Sequence, residues 1–88
     1  MNSKFILKLS PNPASDECEA EISVIEDGNT ELYMYNTSGE VVRRFFKKYL
    51  SANLYKIKLD LRDISSGFYF LVLKTKSMVK SSWLCLLK

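Results

Sequence analysis

The sequence predicts an all-β antiparallel sandwich of about seven strands, and three observations carry that prediction. Apolar residues recur with period two along most of the chain, the spacing of half-buried strands. Turn signals built on Gly, Asn, Pro and Ser interrupt the alternation at near-regular intervals. No segment shows the i, i+3, i+4 spacing of an amphipathic helix. The 88 residues are 47% hydrophobic and 12% aromatic, enough for one core and too apolar for a disordered chain. Residues 1–88 are therefore expected to form a single domain, with no linker, low-complexity tract or internal repeat.

The elements follow in order. Residues 5–9 read as a short strand, stopped by Ser10-Pro11-Asn12-Pro13. Neither proline can donate to a ladder, so here the chain is expected to leave one sheet edge and cross elsewhere. In residues 17–24 Cys18, Ala20, Ile22 and Val24 point one way, and Glu17, Glu19, Glu21 and Ser23 the other. Glu26-Asp27-Gly28-Asn29 reads as a turn, with Gly28 supplying a positive φ. Residues 31–35 are rich in strand formers on both faces.

Asn36-Thr37-Ser38-Gly39 reverses the chain, with Gly39 in the left-handed position. Residues 40–46 form the return strand, and 47–53 read as a looser connection. Tyr55, Ile57, Leu59 and Leu61 alternate with Lys56, Lys58, Asp60 and Arg62 in a half-buried strand. Asp63-Ile64-Ser65-Ser66-Gly67 is a short polar crossover into residues 68–75, apolar on both faces at their centre and hence expected inside a sheet. After a brief turn at Lys76-Ser77, residues 78–88 form the last strand, with Val79, Trp83, Cys85 and Leu87 on one face. Seven short strands punctuated in this way indicate the immunoglobulin-like arrangement.

The net charge of +3 is mild and does not suggest nucleic acid. Its distribution is uneven. Residues 1–31 hold two bases against seven acids, and residues 32–88 hold eleven bases against three. Cross-strand complementarity within one fold accounts for this most simply, with a functional basic patch as the other option.

Little in the sequence supports chemistry. Without histidine, Ser-His and Cys-His pairings and the usual zinc ligand sets are missing. Cys18 and Cys85 both fall on apolar faces of expected strands. They read as buried thiols, or as a disulfide if their strands are neighbours across the core. Glu19 and Glu21 alternate with a buried face and read as solvated charges. The three glycines are each explained by a turn, none by a phosphate loop. No enzyme activity, cofactor or metal site is expected. Tyr33 and Tyr35 share a strand face, and Phe45, Phe46 and Tyr49 flank Arg43-Arg44 and Lys47-Lys48. These aromatics read as cross-strand packing, or alternatively as a carbohydrate- or cell-surface-binding face.

The longest apolar runs, 68–73 and 83–87, are far short of the ~20 residues of a spanning helix. Lys8 interrupts the apolar start before it reaches signal-peptide length. An export signal is therefore expected to come from elsewhere.

Three motifs stand in order along the chain. Ser10-Pro11-Asn12-Pro13-Ala14-Ser15-Asp16 lies near the front. Leu32-Tyr33-Met34-Tyr35-Asn36-Thr37-Ser38-Gly39-Glu40-Val41-Val42 occupies the middle. Leu61-Arg62-Asp63-Ile64-Ser65-Ser66-Gly67-Phe68-Tyr69-Phe70-Leu71-Val72-Leu73 comes late. Together, across almost the whole chain, they resemble the C-terminal sorting domain of proteins exported by the type IX secretion system. The resemblance implies an immunoglobulin-like domain behind an upstream cargo. It implies recognition by the outer-membrane translocon, and frequent removal by a cell-surface sortase. The cargo would pass through the periplasm to the cell surface or the extracellular space. Pro11, Asn12, Pro13, Gly39, Gly67 and Tyr69 match the family's motif positions and are read as fold-shaping first. Recognition maps to residues 78–88, with Lys80, Trp83 and Lys88 as candidate contacts. Self-association through an edge strand is a further expectation. The chain departs from the family pattern at Ser10, where an aromatic is frequent, and at Trp83 and Cys85, where small aliphatics are expected.

Overall fold

The computed structural model describes residues 6–88 and contains seven strands and no helix among them. They are β1 (Leu7–Ser10), β2 (Glu17–Val24), β3 (Gly28–Asn36), β4 (Val41–Leu50), β5 (Asn53–Asp60), β6 (Gly67–Lys74) and β7 (Val79–Leu86). Two antiparallel sheets form a sandwich: a three-stranded sheet ordered β1-β2-β5 and a four-stranded sheet ordered β4-β3-β6-β7. The all-β immunoglobulin-like prediction holds. Phe5, the expected first residue of β1, lies outside the described residues.

The alternating apolar residues meet between the sheets. Cys18, Ala20 and Ile22 of β2 and Leu59 of β5 face Leu32 and Met34 of β3, Leu71 and Leu73 of β6, and Leu84 and Leu86 of β7. β6 lies between β3 and β7, as its two-faced apolar centre requires. The other face of the three-stranded sheet is a charge ladder. Glu21 stands opposite Lys8 on one side and Lys56 on the other, and Glu19 stands opposite Lys58. The acidic front of the sequence is thus strand β2 placed beside basic β5.

Four local expectations are corrected. Gly28 does not have a positive φ; among the described glycines only Gly39 and Gly67 do. It opens β3, and a Cβ there would sit 2.8 Å from the Lys76 Cβ, so close approach is what requires glycine. Residues 47–50 are not loop but the end of β4, and the connection to β5 is only Ser51-Ala52. It is pinned by the Ala52 N–H to Asp27 Oδ1 at 2.7 Å. Ser23 is buried rather than facing solvent, and its hydroxyl accepts the Ile6 N–H. Cys85 lies on the outer face of β7, not in the core, because Leu84 and Leu86 take the inward positions.

Candidate functional site

The Pro-Asn-Pro segment and the final strand are 71–73 residues apart in sequence and joined in space. The chain leaves β1 at Ser10 and crosses to the edge of β7 as a strap, with both Ser10-Pro11 and Asn12-Pro13 peptide bonds cis. The Asn12 carboxamide then acts as a substitute peptide group. Its Nδ2 donates to the Trp83 carbonyl at 2.9 Å, and its Oδ1 accepts the Cys85 N–H at 3.0 Å. Ala14 continues the line with its backbone: its N–H donates to the Cys85 carbonyl at 2.8 Å, and its carbonyl accepts the Leu87 N–H at 2.9 Å. Four backbone groups on the outer edge of β7 are satisfied without another strand.

Lys88 is fixed too. The Lys88 N–H donates to Ser66 Oγ at 3.0 Å, and its ammonium donates to the Leu61 carbonyl. Gly67, at φ +156°, starts β6 and packs beneath the Tyr69 ring, whose hydroxyl donates to the Ser65 carbonyl at 2.7 Å. Tyr69 is buried and locks the crossover between the sheets, like a tyrosine corner. Gly39 has φ +85° and closes the β3–β4 turn, with its N–H to the Asn36 carbonyl at 3.1 Å. The Asn36 Oδ1 accepts from both Ser38 and Glu40. Asn12, Tyr69 and Lys88 therefore converge on β7 or the crossover beside it. Gly39 sits at a turn of its own, and Lys80 lies exposed opposite Leu73.

On its outer face β7 offers apolar surface. Asn12, Thr37, Phe68, Trp83 and Cys85 line an open, almost wholly apolar hollow of about 370 Å³. Trp83 is 56% exposed, Phe68 59% and Leu87 61%, a dense cluster for so small a surface. The Trp83 ring leans on Phe70 at a centroid distance of 4.2 Å and meets Phe68 edge-on at 6.2 Å. Sequence periodicity marked Trp83 and Cys85 as one face but missed Phe68 and Thr37, which only the β6–β7 register and the β3–β4 turn bring in.

The other candidate groups resolve more simply. Cys18 is buried and Cys85 is on the outer face; both are free thiols. Burial pushes the Cys18 thiol up, which makes it a poor nucleophile. Tyr33 and Tyr35 meet edge-to-face, centroids 5.3 Å apart and planes at 79°, beside Val72 and Phe70 of β6. That is cross-strand packing, and it leaves no flat double platform for a sugar. No group of three or more metal-ligating side chains occurs among the described residues.

Fold and surface define a β-sandwich whose last strand has a buried inner face and an exposed apolar outer one. The family model described as the secretion system C-terminal sorting domain matches residues 8–85, and the chain belongs to that family. It is a C-terminal sorting signal for type IX secretion, recognised by that machinery, carried behind a cargo and directing export toward the cell surface or the extracellular space. The family is not one of enzymes. No curated protein matches the chain.

Proposed function

We propose that residues 1–88 act as one sorting domain whose address is the outer face of β7, read after passage into the periplasm by the outer-membrane translocon. A cell-surface sortase then removes the domain from its cargo. The observation that carries this proposal is the division of β7. Leu84 and Leu86 are fully buried, while Trp83, Leu87 and the hollow beside Phe68 stay open to a partner. Pro11, Asn12, Pro13, Gly39, Gly67 and Tyr69 shape and hold that surface; Trp83 contributes the contact on it, and Lys80 and Lys88 contribute contacts at the two ends of the strand, outside that face. Self-association by edge addition at β7 is confined to its start, near Val79 and Ser81, since Asn12 and Ala14 occupy the edge from Trp83 onward.

The test fuses residues 1–88 behind a reporter with a signal peptide, in a host with type IX secretion. Trimming β7 is a poor test, because losing Leu84 or Leu86 costs about 2–5 kcal/mol each and unfolds the domain. The informative variant is Trp83→Ser with Phe68→Ser, which leaves the inner face intact. Loss of surface delivery with a near-unchanged melting temperature supports the proposal. Full delivery by that variant, in a domain shown to be folded, overturns it.

A further inference from the structure

The two long seams of the sandwich are built differently. On one side the strap bridges the sheets, and Leu7, Leu9, Leu84 and Leu86 beneath it are at most 9% exposed. On the other side β4 and β5 are the free edges of their sheets, joined through Ser51-Ala52 and not paired with each other. Phe45, Phe46, Leu50, Tyr55 and Ile57 line this side and are only partly buried. β4 is the longest strand, at ten residues, and as an edge strand it is paired on one side only, by β3.

The seam is also cationic. β4 carries Arg43, Arg44, Lys47 and Lys48, and β5 adds Lys56 and Lys58. Asp63, Glu31 and Glu17 engage Arg43, Arg44 and Lys58. Among the described residues Lys47, Lys48 and Lys56 make no ion pair, and the Lys48 ammonium lies 5.4 Å from the Phe46 ring centroid.

We propose that this seam is a docking site for an extended peptide with alternating acidic and apolar residues, which adds to β4 as a fifth strand of its sheet. Apolar side chains of the incoming strand fall over Phe46, Tyr55 and Ile57, and its acids lie on the other face beside Lys47, which the register sets opposite Glu31; Lys48, opposite Thr30, flanks the apolar row. Charge complementarity selects the occupant, and the fold already contains the pattern: acidic β2 seated between Lys8 and the lysines of β5. A second copy of β4 is the wrong occupant, since antiparallel self-pairing would set Arg and Lys against Arg and Lys. β4 is at the opposite edge of the sheet from β7, so this site and the sorting surface fail or stand separately.

The probe is a synthetic peptide with the sequence of residues 17–24 carrying Cys18→Ser, titrated into the isotopically labelled 88-residue protein. Amide shifts are expected to concentrate in β4 and the facing part of β5. Lys47→Glu with Lys48→Glu is expected to weaken binding at least tenfold, and Lys47→Ala with Lys48→Ala to weaken it less; both pairs are solvent-exposed and leave the core untouched. Ala20→Pro in the peptide is expected to abolish binding, because it removes a ladder donor. Shifts in β1, β2 and β5 that leave β4 unchanged would mean exchange with the native strand, which pairs with both β1 and β5, and overturn the proposal. Equal binding of the proline peptide or of dextran sulfate would show a general polyanion surface and overturn it too. So would the absence of shifts at millimolar peptide.

Discussion

Asn12→Ala isolates the strap's hold on the final strand. The side chain makes two hydrogen bonds to β7, one from the Cys85 N–H and one to the Trp83 carbonyl. Each is worth roughly 0.5–1.5 kcal/mol net, and both are exposed, so water recovers part of the loss. The expected total is about 1–2 kcal/mol. For a domain this size that is a fall of about 5–15 °C in melting temperature. In urea, at about 1 kcal/mol per molar, the midpoint drops by about 1–2 M with an unchanged slope. Hydrogen exchange locates the effect. The Cys85 amide loses protection, while those of Leu84 and Leu86, which point to β6, keep theirs relative to the new global stability. Asn12→Asp retains the acceptor for Cys85 and loses the donor to Trp83, so it falls between. An Asn12→Ala protein with unchanged midpoint and unchanged Cys85 exchange would refute the role given to the strap.

Tyr69→Phe removes only the hydroxyl bonded to the Ser65 carbonyl and is expected to cost about 1 kcal/mol, measured by urea unfolding. Gly28→Ala drives a Cβ to 2.8 Å from the Lys76 Cβ and is expected to cost about 1–3 kcal/mol by overpacking. Adding Lys76→Gly should restore part of it, and a double-mutant cycle showing no coupling would reject the clash. For pH, the Arg62 guanidinium beside Asp60 and the Arg43 guanidinium beside Asp63 hold both carboxyls below the usual carboxylate range. A pKa depressed on folding stabilises above the unfolded value of roughly 3.9 and is lost as pH falls through the folded one. With no histidine in the chain, stability should be flat from about pH 5 to 8 and fall in acid. Asp60→Asn with Asp63→Asn should flatten the acid limb, and salt should do so in part, since both pairs are exposed.

Where alternation was strict, as in β2 and β5, the sequence told which face was core, and only Ser23 fell on the wrong side. β4 was harder, and its register explains why. Val42 and Phe45 are skipped in the pairing with β3, so the side-chain phase resets twice within ten residues. The outcome in sequence is the run of doublets Val41-Val42, Arg43-Arg44, Phe45-Phe46 and Lys47-Lys48, which has no period of two and made the end of β4 look like loop. In β7 both faces are apolar, and size alone favours the Trp83 face as core. The register with β6 decides otherwise: Leu84 stands opposite buried Tyr69, and Leu86 opposite Gly67. Asn12 was legible as part of a chain-breaking motif. Its bonds to Trp83 and Cys85 were not, because no local signal encodes a partner more than 70 residues away.

A strand at the edge of a sheet ordinarily frays more readily than a central one, since a single ladder holds it. Here β7 is held on three sides: by β6, by Asn12 and Ala14 along its outer edge, and by Lys88 through Ser66 and Leu61 beyond it. Its inner face supplies two fully buried leucines to the core. The aromatic outer face therefore exists as a surface only when the sandwich has closed around the same strand. If that face is the address, misfolded domains would lose it together with their stability. Substitutions at Pro11, Pro13 or Ala14, strap residues that do not line the hollow, would then weaken delivery in step with their effect on protection of the Cys85 amide.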